Sequence, residues 1–335
     1  MKRVKNEREI LISVMTPCYN AGSLITELEQ SLLEQGTNAL EWVIVDDGSA
    51  SNTLRYLEEI ERRASLPIKL IRTTNLGPSH ARNLGFNSSR GRWVKFVDAD
   101  DLLDPMHLSK QFEIAQTVPT AIIFSPTHSL YDSGSGKRIE RFEGMNIEDR
   151  SDPFRDCLFQ SAFHHSSALY PRFLVDSVGG YDETLSSDED GDFVLRLFLE
   201  KPKLIGASNS RFIYRNHNYN SRITSSNDSK VWDSLFRVCK KMEPLLSSRG
   251  LLDNYRNKLA MRYDSIAVRA LLTSDNRAVI ALALKRAKSR SANYPRLAPF
   301  YVFYLRTFLA FRLAEILRCF ISHNQLWKFF CYGIR

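Results

Sequence analysis

Glu41-Trp42-Val43-Ile44-Val45-Asp46-Asp47-Gly48-Ser49 is a short β-rich run that empties into an acidic turn, and a helical pattern follows it over Thr53–Ala64. The same alternation extends in both directions. Ile10–Met15, Ile68–Arg72 and Trp93–Asp98 read as further strands, and Leu24–Gln35 and Pro78–Ser88 as further helices. Strand and helix in strict alternation predict an α/β fold with a mostly parallel sheet covered on both faces. Ligands of such sheets bind beyond the carboxyl ends of the strands, so the residues there carry the chemistry.

The chain has 335 residues, 43% hydrophobic and 25% charged, with 15 Gly and 12 Pro. That excludes a disordered or collagen-like chain and leaves room for one large or two ordinary domains. The five cysteines (Cys18, Cys157, Cys239, Cys319, Cys331) include no C-x-x-C pair, and an odd number cannot all pair internally. A reducing, cytoplasmic compartment is the expectation. Met1–Glu9 is polar and the apolar run behind it is too short for a signal peptide. Leu297–Leu305 ends at Arg306, short of the roughly 18 apolar residues of a spanning helix.

Four polar strand ends follow from this layout: Thr16-Pro17-Cys18-Tyr19-Asn20, Asp46-Asp47-Gly48-Ser49, Asn75-Leu76-Gly77-Pro78 and Asp98-Ala99-Asp100-Asp101. Asp98 and Asp100 stand two apart in an extended segment and point the same way. Two converging carboxylates suit a hard cation, Mn²⁺ or Mg²⁺, whose shell is completed by substrate phosphates; the competing reading is a solvated acidic turn. Asp46 and Asp47 offer acceptors to a base edge or a ribose hydroxyl, or simply form a turn. Tyr19 offers an aromatic face to a nucleobase, or packing. The helix beginning at Pro78 turns its amino end, which favours anions, toward the same crevice. Ala81 and Gly85 give that helix a small-residue face, and Arg82 beside them suits a phosphate or the acidic strand ends.

Further on, Asp104-Pro105 predicts an N-cap and a helix to Thr117. Ala121–Phe142 reads as strands with a loose hairpin at Ser133–Gly136. Helices are expected at Pro153–Gln160, Arg172–Val178 and Asp190–Leu199, and strands at Lys203–Gly206 and Arg211–Arg215. Residues 221–229 read as a linker. Beyond it the pattern is helical, and the charge changes sign: residues 1–227 carry 26 Lys and Arg against 31 Asp and Glu, residues 228–335 carry 20 against 7.

Thr-Pro-x-Tyr-Asn, Val-Asp-Asp-Gly-Ser, Asn-x-Gly-x-x-x-Ala-Arg-Asn-x-Gly and Val-Asp-Ala-Asp-Asp, in this order after successive strands, resemble glycosyltransferase family 2, inverting enzymes of the GT-A fold. The resemblance covers roughly residues 9–220. It implies a GT-A catalytic domain over 1–227, with a nucleotide-binding half (about 9–110) and an acceptor and base half (about 111–220), followed by a helical region over 228–335. It further implies that Thr16, Tyr19, Asp46, Asp47, Asn75, Gly77, Arg82 and Asp98 line the site of a nucleotide-sugar donor, with Asp98 and Asp100 on the metal. Gly179-Gly180-Tyr181-Asp182-Glu183 and Ser187-Asp188-Glu189-Asp190-Gly191-Asp192-Phe193 are similar to the family's G-G-F-D-E and E-D-x-D stretches. By that likeness Asp190 is the catalytic base and Glu189 its neighbour. Gly191 stands where family members often carry an aromatic, and Asp192 fits helix capping better than Asp190 does. Tyr214-Arg215-Asn216-His217 is similar to a Y-R-x-H segment whose histidine is a candidate metal ligand, and His164 and His165 fall where the family lines its sugar or acceptor pocket.

The expected activity is inverting transfer from a nucleotide-diphosphate donor, a UDP-sugar, to a hydroxyl of a glycan or a lipid-linked acceptor. Such a transfer needs one base and one Lewis acid, and no covalent sugar intermediate. A dehydrogenase would carry a glycine fingerprint where Pro17-Cys18-Tyr19-Asn20 stands, and a sugar-phosphate nucleotidyltransferase a glycine-rich, arginine-containing loop there. A nucleotide-sugar binding module without turnover is opposed by intact Asp100 and Asp190. Arginines interleave with Phe300, Tyr301, Phe303, Tyr304, Phe308 and Phe311 in the tail, which predicts either a solvated basic helical region or a peripheral contact with an anionic membrane at its cytoplasmic face. Nucleic acid is not expected, because the acidic half opposes it.

Overall fold

β-branched and aromatic residues set the middle of the sheet. All seven residues of β2 (Leu40–Asp46) are buried, as befits a parallel strand covered on both faces. It pairs in parallel with β1 (Ile12–Cys18) and β3 (Ile68–Arg72), and β1 pairs in parallel with β4 (Trp93–Phe96). In a computed structural model the described residues are 10–132, 137–141, 151–158, 164–216, 229–273 and 277–290. They fall into two compact units, one of Met1–Leu185 with Glu189–Ser221 and one of Ser186–Asp188 with Arg222–Arg335.

The first unit holds a seven-stranded sheet in the order β10-β6-β9-β4-β1-β2-β3, with β6 at Ile122–Phe124, β9 at Ala168–Pro171 and β10 at Leu204–Gly206. It is parallel except for β9, which runs antiparallel between β4 and β6. Register fixes where the site forms. Cys18 lies opposite Asp46, and Asp46 opposite Arg72, so β1, β2 and β3 end level with one another. The Val97 N–H still donates to the Met15 carbonyl, which brings Asp98 to the same rim.

The crossovers are α1 (Leu24–Leu33), α2 (Ser51–Arg63) and α3 (Pro78–Ser88). The small face expected of α3 is real: Ala81 is buried, and a Cβ at Gly85 would stand 3.2 Å from the Met15 side chain on β1. Core side chains such as Ile44, Val45 and Leu57 have no exposed surface. Each contributes about 1.5–3 kcal/mol by leaving water.

A four-stranded sheet, β5-β11-β7-β8, stands beside it, with β5 at Leu102–Leu103, β7 at Thr127–Asp132, β8 at Lys137–Arg141 and β11 at Phe212–Asn216. β7 and β8 pair antiparallel, as the hairpin reading expects; its tip, Ser133–Gly136, lies outside the described residues. Two short strands escape the sequence reading. β5 is two residues long, and β9 ends on a proline, so neither offers a period to detect.

The expected Asp104 cap is corrected. α4 starts at His107 after Met106 in a left-handed conformation, while Asp104 accepts from Arg211 at 2.8 and 3.1 Å. A bidentate guanidinium is the stronger partner for that carboxylate. α5 (Pro153–Cys157), α6 (Arg172–Ser177) and α7 (Glu189–Leu199) fall within a few residues of expectation.

In the second unit, α8 (Ser229–Ser248), α9 (Leu252–Thr273) and α10 (Arg277–Arg290) bury Val238, Met242, Leu246, Leu259 and Ala267. The α8–α9 turn is closed by Gly250 at φ 66° and a Leu251 N–H to Leu246 carbonyl bond, a glycine-terminated helix end. Among the described residues no helix is long and apolar enough to cross a membrane. His217, residues 221–228 of the expected linker and the aromatic, basic stretch beyond residue 290 lie outside the described residues.

Candidate active site

Two neighbouring side chains of α3 assemble the site. Arg82, almost fully buried, donates to Asp98 at 2.8 Å and to Glu189 at 3.2 Å, and its guanidinium lies 5.2 Å from the centre of the Tyr181 ring. Burial opposes its charge, but Asp98, Tyr181 and Glu189 outweigh that, so Arg82 stays a cation. Asn83 accepts from the Tyr181 N–H and donates to its carbonyl and to Glu183, at 2.8–2.9 Å. Between them, α3 docks the Gly179–Glu183 turn and draws the acidic start of α7 to the end of β4.

Asp98 feels burial raising its pKa, outweighed by Arg82 and then by His165, so the carboxyl sits below its ordinary value. Beside it, Asp101 is fully buried and accepts the Arg215 N–H at 2.9 Å. Burial, then Asp100 and Asp98, push its pKa well up. Arg215 of β11 also donates to the Asp100 carbonyl at 2.8 Å and to Glu27 of α1 at 2.9 Å, pinning the Asp98–Asp101 loop from the second sheet.

Asp98 and Asp100 are the residues at this strand end whose oxygens would suit a hard cation such as Mn²⁺ or Mg²⁺. Among the described residues, no three or more His, Cys, Asp or Glu side chains form a group able to hold a metal by themselves.

The β1, β2 and β3 ends form one rim. Asp47 accepts from the Leu76 and Gly77 N–H groups at 2.8 and 2.7 Å, and Asp46 from the Ser49 N–H at 3.1 Å. Both carboxylates are buried, so they shape the loops that carry Asn75 and Gly77, at φ 51° and 96°. The Thr16 hydroxyl is likewise buried and accepts from the Trp42 indole at 2.9 Å. Tyr19, by contrast, is 53% exposed, its ring open to a ligand.

The acidic pair begins α7. Glu189 faces Arg82. Asp190 accepts from the Gly191 N–H at 2.8 Å and keeps 41% of its side chain exposed, with one oxygen 3.6 Å from His165 Nδ1. Burial raises its pKa, but His165, His164 and Arg82 together hold it below the usual carboxylate value, and its exposed part softens that pull. It is an ionised group open to an incoming molecule. Asp192 does not cap the helix as expected: it lies inside α7, fully buried, and pairs with Arg196 at 2.8 Å. Reading by i, i+4 spacing finds that pair.

Sequence reasoning names Arg82, Asp98, Glu189 and Asp190, and the fold gathers them. It passes over Arg215 and Asp101, although Arg215 stands within the Tyr214–His217 motif and Asp101 directly follows Asp100. It also gives His165 no partner.

Residues 13–179 match the family model described as Glycosyl transferase family 2. An uncharacterized glycosyltransferase of Haemophilus influenzae is 28% identical over 193 residues, 57% of this chain and 63% of that protein. TarS of Staphylococcus aureus, a poly(ribitol-phosphate) beta-N-acetylglucosaminyltransferase, is 26% identical over 60% of this chain and 35% of its own length. The crystal structure of TarS 1-349 in complex with UDP-GlcNAc superposes with a TM-score of 0.58 at 18% identity, covering 83% of this chain and 90% of that one. The mannosyltransferase PcManGT of Pyrobaculum calidifontis, in complex with GDP-Man and Mn²⁺, gives 0.51 at 17% identity over 87% and 84%. These superpositions show the fold, that of the GT-A transferases. The chain spans only 35% to 63% of the lengths of the two curated relatives named.

Proposed function

We propose, from the premise that this chain belongs to glycosyl transferase family 2 through residues 13–179, that it is an inverting glycosyltransferase with Asp190 as its base. The donor is a nucleotide-diphosphate sugar, a UDP-sugar, and the acceptor a hydroxyl of a glycan or lipid-linked saccharide in cell-surface polysaccharide synthesis. TarS, which binds UDP-GlcNAc and is named for a poly(ribitol-phosphate) acceptor, supports that class of donor and acceptor. One observation carries the reading: a single buried guanidinium, Arg82, holds the Asp98 strand end and the acidic start of α7 together, at 2.8 and 3.2 Å.

In the reaction the acceptor oxygen attacks the anomeric carbon from the face opposite the diphosphate. The carbon–oxygen bond to the diphosphate breaks, its electron pair leaves with the phosphate, and the acceptor proton passes to an Asp190 oxygen. A divalent cation held by Asp98 and Asp100, with His217 as a further ligand, would neutralise the departing charge. Tyr19 stacks on the base, and Asn75, Gly77 and the amino end of α3 face the phosphates. Asp190 is a weak base for an alcohol, so its contribution is placement of the hydroxyl, with charge stabilisation supplying most of the acceleration.

The net charge of residues 228–335 supports a peripheral position on the cytoplasmic face of an anionic membrane, testable by sedimenting the full chain with vesicles of anionic and of neutral lipid. For the catalytic reading, the test is thermal stabilisation across a panel of nucleotide sugars with and without Mn²⁺, followed by turnover with the best donor. A UDP-sugar that stabilises the protein only with metal is the expected result. No stabilisation by any nucleotide sugar would refute the proposal.

A further inference from the structure

The His165–Ser167 turn is held with unusual care. The Tyr170 hydroxyl donates to the His165 carbonyl at 2.8 Å. Gln111 donates to the Ser167 carbonyl at 2.8 Å, and Lys95 to the Ala168 carbonyl at 3.3 Å. These three polar side chains are fully buried. Burying an amide, a phenol and an amine costs free energy unless each finds a partner, and here each reaches a carbonyl of one short segment. Gln111 also donates to Ser125 Oγ at 2.9 Å and to the Ile123 carbonyl at 3.3 Å, and Lys95 to Gln111 Oε1 at 3.3 Å. Such a set restrains the backbone along the whole turn, the kind of support that a precisely placed side chain needs.

What the turn presents is the His165 ring. It is buried, stacked on His164 with ring centres 5.0 Å apart, and set edge-on to Tyr181 at 6.0 Å. Its Nε2 lies 3.1 Å from the Ser166 hydroxyl. Its Nδ1 is buried without a hydrogen-bond partner, and the nearest acidic oxygen is that of Asp190, 3.6 Å away. That separation is too long for a hydrogen bond, and catalytic contacts of this kind commonly tighten when substrate binds.

We propose that His165 is the positioning residue for the base: its Nδ1–H closes on Asp190 and aims the free carboxylate lone pair at the acceptor hydroxyl. This rests on the assignment of Asp190 as base. A Ser166 hydroxyl donating to Nε2 is compatible with the ring proton on Nδ1, the tautomer this role requires. In this role His165 acts through Asp190.

The test compares His165→Phe, His165→Asn and Ser166→Ala in the full chain. Phenylalanine keeps the stacked shape and loses the donor, whereas the asparagine amide N–H stands where Nδ1–H does. A hydrogen bond to a charged group is worth a rate factor of about 10–100 when it is lost. His165→Phe should therefore lower kcat by roughly that factor with donor KM and donor-induced thermal stabilisation unchanged. His165→Asn should recover most of the loss, and Ser166→Ala should lose only a few-fold. Equal losses in the phenylalanine and asparagine variants, or kcat in His165→Phe within two-fold of wild type, would overturn the proposal. If His165→Phe does not fold, the asparagine variant decides: a kcat reduced by more than about ten-fold in a folded His165→Asn also overturns it. Asp190→Asn separates the two levels. Turnover surviving in that variant removes the base itself, while an inactive Asp190→Asn beside an unimpaired His165→Phe removes only the role of His165.

Discussion

Replacing Arg82 with methionine keeps most of the side-chain volume and removes the charge. The guanidinium is 5% exposed, and its two partners, Asp98 and Glu189, are 30% and 18% exposed. Without it, two carboxylates drawn from different parts of the chain face one another with no cation between them. Breaking a buried ion pair by removing one partner costs about 3–5 kcal/mol, and the partial exposure of Asp98 places this case near 3. In a urea titration followed by tryptophan fluorescence at pH 7, that loss moves the midpoint down by roughly 1 M for a chain of this size. Arg82→Lys keeps the charge but cannot fork between two carboxylates, and should lose about half as much. The pH dependence has a definite sign. Asp98 titrates below its ordinary value of 3.8 in the folded protein, so its pairing contributes stability above that pH and loses it as pH falls through the folded-state value. In Arg82→Met the Asp98 pKa rises, so the gap between variant and wild type should be full at pH 7 and shrink in acid. A midpoint within 0.2 M of wild type, or a gap that widens as pH falls, would refute the view that Arg82 joins the two halves of the site.

Asp100→Ala and Asp190→Asn should each abolish transfer; the first should also weaken metal-dependent donor binding, measured by thermal shift, and the second should spare it. Gly180→Ala places a Cβ 2.5 Å from the Asn83 amide oxygen at φ 69°, so it should lose about 2–3 kcal/mol, against about 1 for Gly179→Ala, where φ is 72° and nothing lies within 4 Å. Chemical denaturation of the two variants checks the difference. Asp47→Asn leaves one of two loop N–H groups facing an amide donor, which should lower stability by about 1–3 kcal/mol and raise donor KM. An unchanged KM would detach this loop from the donor site.

The parallel core was readable because period and composition agree: the first three strands are each bounded by polar turns and followed by a helix, and β1 and β2 are mostly apolar. Motif order then placed Arg82, Asp98, Glu189 and Asp190 near one crevice. What escaped depends on contacts between distant segments. β9 pairs antiparallel with β4 on one side and β6 on the other, and nothing local announces an antiparallel strand of four residues. Asp104 has all the local marks of a helix cap and yields to Arg211, 107 positions away. Asp192 sits in an acidic run that looks solvated, and only the i+4 arginine and full burial reveal a paired core group. His165 reads only as a candidate for the sugar or acceptor pocket, and nothing in the local sequence shows that Tyr170, Gln111 and Lys95 grip the backbone around it.

The bond from Asp47 to two consecutive amides in the β3–α3 loop has a consequence for how such a mouth can be remodelled. One carboxylate welds the tips of two crossovers into a single lip, so an insertion or deletion within residues 73–77 would pull those amides off the carboxylate and unseat the start of α3 with them. Chemical variety at this rim is therefore confined to exchanging the outward-facing side chains, Tyr19 and Leu76 among them, on a scaffold whose chain length is fixed by the reach of one short acid.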